Sequence, residues 1–245
     1  MQWSMILFGT ILLCHLIFYP LSPNPNSLAW FGNLAQWIGL LFGIIFIAKI
    51  ARAASKQNFP KWLNLAFGVF ILLLGQSLST YSELLLKRSA YGSISDVFWI
   101  LGFCIILIGL FQLAKNAARS QKEFIRWQII GFALFLSVLA VLWSDLTSVA
   151  RPTHLKVLDA FYALLEVWMA VLAFIMVLNT EQKLAWGLAT ISLTIYLMTD
   201  TFVVYYSDFQ SAIYRYLDIP YFIGVCAWWL LGAKLETQDR QVQIA

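Results

Sequence analysis

The sequence predicts an all-α, polytopic membrane bundle on three observations. Eight apolar runs, each near the roughly 20 residues a helix needs to cross hydrocarbon, fill the chain almost end to end. Hydrophobic residues are 61% and charged residues 11% of the 245, too little polar surface to enclose one aqueous core. Period-2 alternation is absent, which argues against a β-barrel.

In chain order the expected spans are Trp3–Tyr19, Leu28–Ile50, Trp62–Tyr81, Ile94–Ala114, Ile125–Leu146, Val157–Leu178, Leu184–Tyr206 and Tyr216–Ala233. The first is the shortest and stops at Pro20; if it lies in the interface instead of crossing, the count falls to seven. Its flank Met1-Gln2-Trp3-Ser4 lacks the basic n-region of a signal peptide, so it reads as a retained helix. The expected organisation is a transmembrane helical domain over residues 1–235 and a short cytoplasmic tail over 236–245. A soluble catalytic domain of ordinary size is not expected beside it.

Basic residues set the direction. Alternate connections and the tail carry eleven, from Lys49, Arg52, Lys56 and Lys61 through to Lys234 and Arg240; the other set carries five. The richer side is expected to be cytoplasmic, which puts both termini there and predicts a multi-pass membrane protein. Trp30, Trp62, Trp99, Trp127 and Trp186 fall near expected helix ends, where indole rings favour the headgroup zone. The formal charge of +4 is small and dispersed, so nucleic acid is not an expected partner.

The acids fall unevenly. Eight of twelve lie in the outer loops or the outer half of the membrane on this topology. Glu166 is near mid-depth in the sixth span, and Asp200 is about two turns from the outer end of the seventh. A carboxyl at such depth costs several kcal/mol unless protonated, paired or wetted, so neither is expected to face lipid. Asp208 and Asp218, at loop edges, are expected to be solvated.

Helical spacing groups polar residues into rows. Asp159, Tyr162 and Glu166 stack at i, i+3 and i+7 on the sixth span. Gln76, Thr80 and Glu83 form a similar row on the third, and Ser192, Tyr196 and Asp200 on the seventh. Asp145 ends the fifth span and Asp96 begins the fourth. Pointed toward one another, these rows would line an outward-opening acidic cavity. The expected ligand-binding set is therefore Glu166, Asp200, Tyr162, Asp159, Tyr196, Gln76, Thr80, Glu83, Asp96 and Asp145. For Gln76 and Thr80 the alternative role is interhelical hydrogen bonding.

Other constellations are sparse. Cys14, Cys104 and Cys226 lie in apolar runs without a CxxC pair, and His15 and His154 belong to neither HxxxH nor HExxH. No metal or cofactor is expected, and no nucleophile signature suggests an enzyme. Gly39 and Gly43 form a GxxxG that permits close helix approach, inside the bundle or between protomers.

Ser93-Ile94-Ser95-Asp96-Val97-Phe98-Trp99-Ile100-Leu101-Gly102 resembles the S-x-x-D start of the fourth helix in bacterial sensory modules of seven to eight transmembrane helices. Those modules stand N-terminal to diguanylate cyclases and histidine kinases. Thr80-Tyr81, Gly92, the closing Tyr216-Leu217-Asp218-Ile219-Pro220-Tyr221-Phe222-Ile223-Gly224 and Trp228-Trp229 are similar too. The resemblance implies a non-catalytic sensory module. Because the sequence ends at Ala245 where such modules continue into an output domain, it implies a stand-alone or accessory form. Its expected partners are the lipid bilayer and a separate cytoplasmic or membrane signalling protein. The competing readings are a small-molecule or proton-coupled transporter and, behind it, an intramembrane lipid-acting enzyme.

Overall fold

The computed structural model describes residues 2–21, 25–88, 91–149, 151–205 and 218–244, and all of its regular structure is helical. The helices are α1 (Gln2–Leu21), α2 (Pro25–Ala53), α3 (Phe59–Thr80), α4 (Ile94–Ala117), α5 (Gln121–Val141), α6 (Trp143–Thr147), α7 (Thr153–Asn179), α8 (Lys183–Tyr205), α9 (Asp218–Val225) and α10 (Ala227–Ile244). Among the described residues, five helical stretches are long and apolar enough to cross a membrane: Ser27–Ala53, Phe59–Leu85, Ile94–Ala117, Gln121–Val141 and Thr153–Asn179. Large apolar side chains such as Leu16, Phe67, Ile108, Ile129 and Met198 are exposed around the outside. So much outward apolar surface suits lipid and not water.

Helix ends depart from the apolar runs where local hydrogen bonding outweighs hydropathy. Pro20 does not end α1, which continues to Leu21. α3 continues through a π turn, Tyr81–Leu85, before the chain leaves the helix at Leu86, whose N–H reaches back to the Tyr81 carbonyl. The fifth apolar run divides at Leu142 into α5 and the short α6. α9 and α10 are joined through Cys226, whose N–H donates to Phe222 and whose carbonyl accepts from Leu230, so the ladder runs on past the break. The helix extends to Ile244, through most of the expected tail.

Six helical units close a ring in the order α2, α3, α4, α7, α8, α9–α10 and back to α2. α1 leans on α2, α9 and α10 from outside, while α5 leans on α7 and α8. Glycine makes the α3–α4 seam close. A Cβ on Gly68 would stand 2.8 Å from the Gly102 carbonyl oxygen, and one on Gly109 would stand 2.8 Å from the Lys61 carbonyl oxygen. Gly39 and Gly43 face α9 and α10, against Cys226 and Trp228, so this GxxxG serves packing inside the bundle.

Three helix-end tryptophans differ from the headgroup expectation. Trp62, Trp99 and Trp186 are buried, and Trp62 and Trp186 meet with ring centroids 5.9 Å apart. Indole area removed from lipid into a packed seam gains dispersion contacts that the interface does not offer. Below the level of Glu166 the ring is filled by residues such as Leu172, Ile175, Trp186 and Leu231.

Candidate functional site

The α7 row is a single polar face directed into the ring, because its three members sit at i, i+3 and i+7. Asp159 is outermost, Tyr162 one turn deeper and Glu166 deeper again; all three are buried.

Each level of that row meets a different neighbour. Asp159 forms an ion pair with Arg151 Nη2 at 2.7 Å and accepts a hydrogen bond from the Tyr91 hydroxyl. Tyr162 donates to Asp96 Oδ1 at 2.7 Å. Glu166 faces Asp200 of α8, carboxyl to carboxyl. Asp200 in turn accepts from the hydroxyl of Tyr221 on α9. The Tyr196 ring, one turn before Asp200, packs edge-on against Tyr221 at 5.4 Å and against Phe103 at 6.0 Å.

The acids differ in how far they are satisfied. Asp96 caps α4: its Oδ2 accepts the backbone N–H of Gly92 at 2.7 Å and of Ser93 at 3.0 Å, while Ser93 Oγ accepts from Ser95 N–H. With Tyr162 on its other oxygen, Asp96 is committed to holding α4 and α7. Glu166 is the opposite case. It is 1% exposed, and among the described residues neither of its oxygens meets a donor at hydrogen-bonding geometry.

The α3 row turns elsewhere. Asn33 of α2 accepts on Oδ1 from Gln76 Nε2 at 2.8 Å and from the Thr80 hydroxyl at 2.7 Å. The π turn that follows α3 carries Glu83 to an exposed position near Asn33 and Asp218. Asp218 is not merely solvated: it is half-buried over Gly32 and accepts from the Tyr19 hydroxyl. Two polar clusters thus flank α9, which gives Asp218 to one and Tyr221, one turn on, to the other. The side chain of Asp145, on α6, and the whole of Asp208 lie outside the described residues.

The structure therefore brings Asp96, Asp159, Tyr162, Glu166, Tyr196 and Asp200 together, and places Gln76, Thr80 and Glu83 in the second cluster. Sequence reading passed over Asn33, Tyr19, Tyr91, Arg151 and Tyr221. Asn33 had a signal, a lone amide within an apolar run; Tyr221 had another, one helical turn after Asp218.

Among the described residues no group of three His, Cys, Asp or Glu is placed to hold a metal. His15 is buried, its Nδ1 2.9 Å from the Ile11 carbonyl and its ring stacked on Tyr19 and Phe222, whereas the adjacent Cys14 is exposed. The two side chains thus occupy different environments. The α7–α8–α9 cluster offers acceptors and aromatic faces; a group bearing N–H donors or positive charge complements it. Comparison with known protein families, curated proteins and solved structures finds no match for this chain.

Proposed function

We propose that this chain is a non-catalytic sensory or accessory protein of a bacterial inner membrane that binds a small organic cation between α7, α8 and α9. Eight spans are assigned to α1, α2, α3, α4, α5, α7, α8 and the α9–α10 pair, with both termini cytoplasmic. The basic connections after α2 and α4 support that orientation.

One observation carries the reading: Glu166, fully buried and without a donor, set against a second carboxyl. Two acids in a dry site must share a proton or receive a positive charge, because leaving both ionised and unpaired is prohibitively costly. An ammonium group provides both charge and donors. The faces of Tyr196 and Tyr221 add a cation–π surface for any alkyl-substituted nitrogen.

Binding would be read out along one helix. Tyr221 holds Asp200 from α9, and the ladder from α9 through Cys226 continues into α10. A ligand that inserts between Glu166 and Asp200 favours a packing in which α9 shifts, and α10 carries that shift to its far end. It can do so only by its difference in affinity for the two packings. The tightly filled apolar ring below Glu166 supports reception over transport.

The test is thermal unfolding of the full chain in nanodiscs with n-butylammonium, putrescine or tetramethylammonium, each against a neutral alcohol of matched size. At least one cation should raise the midpoint of wild type and leave Glu166→Gln unmoved, as saturating ligand shifts a native state by mass action. No response to any of the three, or equal shifts in the variant, would overturn the reading.

A further inference from the structure

A second site lies on the outside of the ring. α5 is buried only at Phe124 and Gly131, and only 11% of its apolar span is inside the bundle. Its inner half is held by the Gly131–Val171 approach and by Trp168 Nε1, which donates to Gln128 Oε1 at 2.9 Å. Between α5 and the α7–α8 pair runs a groove of about 780 Å³.

The groove extends along α5 from Trp127 to Val141, fifteen residues, whose ends are about 21 Å apart along the helix. That is the reach of one extended long acyl chain. Its walls include Leu134, Val167, Phe174 and Met198. Three of its four hydroxyls are turned back on their own helices: Ser137 to Ala133, Thr190 to Trp186 and Thr194 to Thr190. They offer no donor to a ligand, so the lining is apolar in chemistry as well as in composition.

Charge marks one end. α5 and α8 both begin at the end where Trp127, Phe174 and Thr190 lie, and there Lys122, Arg126 and Lys183 are exposed with no ion partner among the described residues. Arg119 lies just before the N-cap of α5, Ser120. Two acids share this end: Glu181, and Glu123, which accepts from the Arg119 N–H at 3.1 Å and Asn179 Nδ2 at 3.3 Å and keeps its charge, so with Arg119 four bases stand against two acids. A hydrocarbon slot beneath a basic rim matches a lipid with an anionic headgroup.

We infer that the α5–α7–α8 groove is a specific seat for one acyl chain of an anionic phospholipid, its headgroup held by Lys122, Arg126 and Lys183. α5 is then positioned partly by lipid, and its lean on α7 depends on the surrounding membrane.

The test uses the full chain in nanodiscs doped with phosphatidylglycerol carrying a mid-chain diazirine, with adducts mapped by mass spectrometry. Adducts should concentrate on the groove walls, Leu134 and Met198 above all. Thr194→Trp, which fills the slot from an exposed position, should cut them at least fivefold while labelling of α1 at Leu13 and Leu16 stays constant. Ser137→Phe serves the same purpose should the first variant not fold. The triple variant Lys122→Ala, Arg126→Ala, Lys183→Ala should reduce labelling about threefold, to the level of a phosphatidylcholine probe. Adducts spread evenly over exposed apolar surface, equal labelling by phosphatidylcholine, or a groove shielded by a second copy of the chain would each overturn the inference.

Discussion

Tyr162 donates its hydroxyl to Asp96 Oδ1 at 2.7 Å, and this bond couples the helix cap of α4 to the middle of α7. Its two ends are not equivalent. Tyr162→Phe removes one hydrogen bond and leaves Asp96 its backbone donors, so it should cost about 1 kcal/mol. Asp96→Ala also removes acceptors for Gly92 and Ser93 N–H, the capping box, and should cost about 1–2 kcal/mol more. Chemical unfolding in mixed micelles, followed by tryptophan fluorescence, measures both. Equal losses would mean that the cap contributes nothing.

The Arg151–Asp159 pair makes a sharper prediction, because the Asp159 side chain is 0% exposed and that of Arg151 is 15% exposed. Removing the cation alone strands a buried carboxylate. Arg151→Ala should therefore cost about 3–5 kcal/mol. Adding Asp159→Asn should restore a large part, since the amide needs no counter-charge. A double variant less stable than Arg151→Ala would show that the pair is held for its geometry and not for its charge.

The positions of helices are legible in this chain, and their rotations are only partly so. Runs such as Ile94–Ala114 and Val157–Leu178 fall within α4 and α7, because hydropathy decides which segments are apolar. The Asp159, Tyr162 and Glu166 row is legible as one face, because 3.6-residue periodicity is local. Which rows meet is not local. It depends on ring order, and ring order is set by seams such as Gly68 against Gly102 that no single segment encodes. Hence the Gln76 row, similar in pattern, turned to Asn33. The π turn at Tyr81–Leu85 left no hydropathy signal. The spacing Ser93-x-x-Asp96 did leave one: read as a capping box, it separates Asp96 from the ligand candidates.

Glycine substitutions can test the ring order directly. Gly68 is mid-way along α3 and Gly187 is one turn into α8, and in isolation alanine at either would favour the helix by roughly 1 kcal/mol. At Gly187 nothing lies within 4 Å of the added carbon, so Gly187→Ala should be neutral or stabilising. At Gly68 the same carbon meets Ile106 Cγ1 at 2.5 Å and the Gly102 carbonyl oxygen at 2.8 Å, so α3 and α4 must separate. Gly68→Ala should cost about 1–3 kcal/mol, the range for overpacked interiors. Equal behaviour at the two sites would count against the α3–α4 seam.

Glu166 should tolerate an amide where Asp96 does not tolerate truncation, although both are buried acids of one cluster. Asp96 is satisfied by two backbone donors and a tyrosine; Glu166 has only another carboxyl before it. In Glu166→Gln the ionisable group is gone, and the amide supplies an N–H that Asp200 can accept. That N–H takes the place of the proton the two carboxyls share, so the ligand-free variant should match wild-type stability to within about 1 kcal/mol, the net worth of one buried hydrogen bond. Infrared difference spectra should show the loss of a protonated-carboxyl C=O band at neutral pH. Tyr221→Phe should destabilise, since Asp200 loses its hydroxyl donor. Were Glu166→Gln to destabilise the protein as much as Asp96→Ala, the carboxyl would be a structural tie, and the Glu166–Asp200 pair would have no claim on a cation.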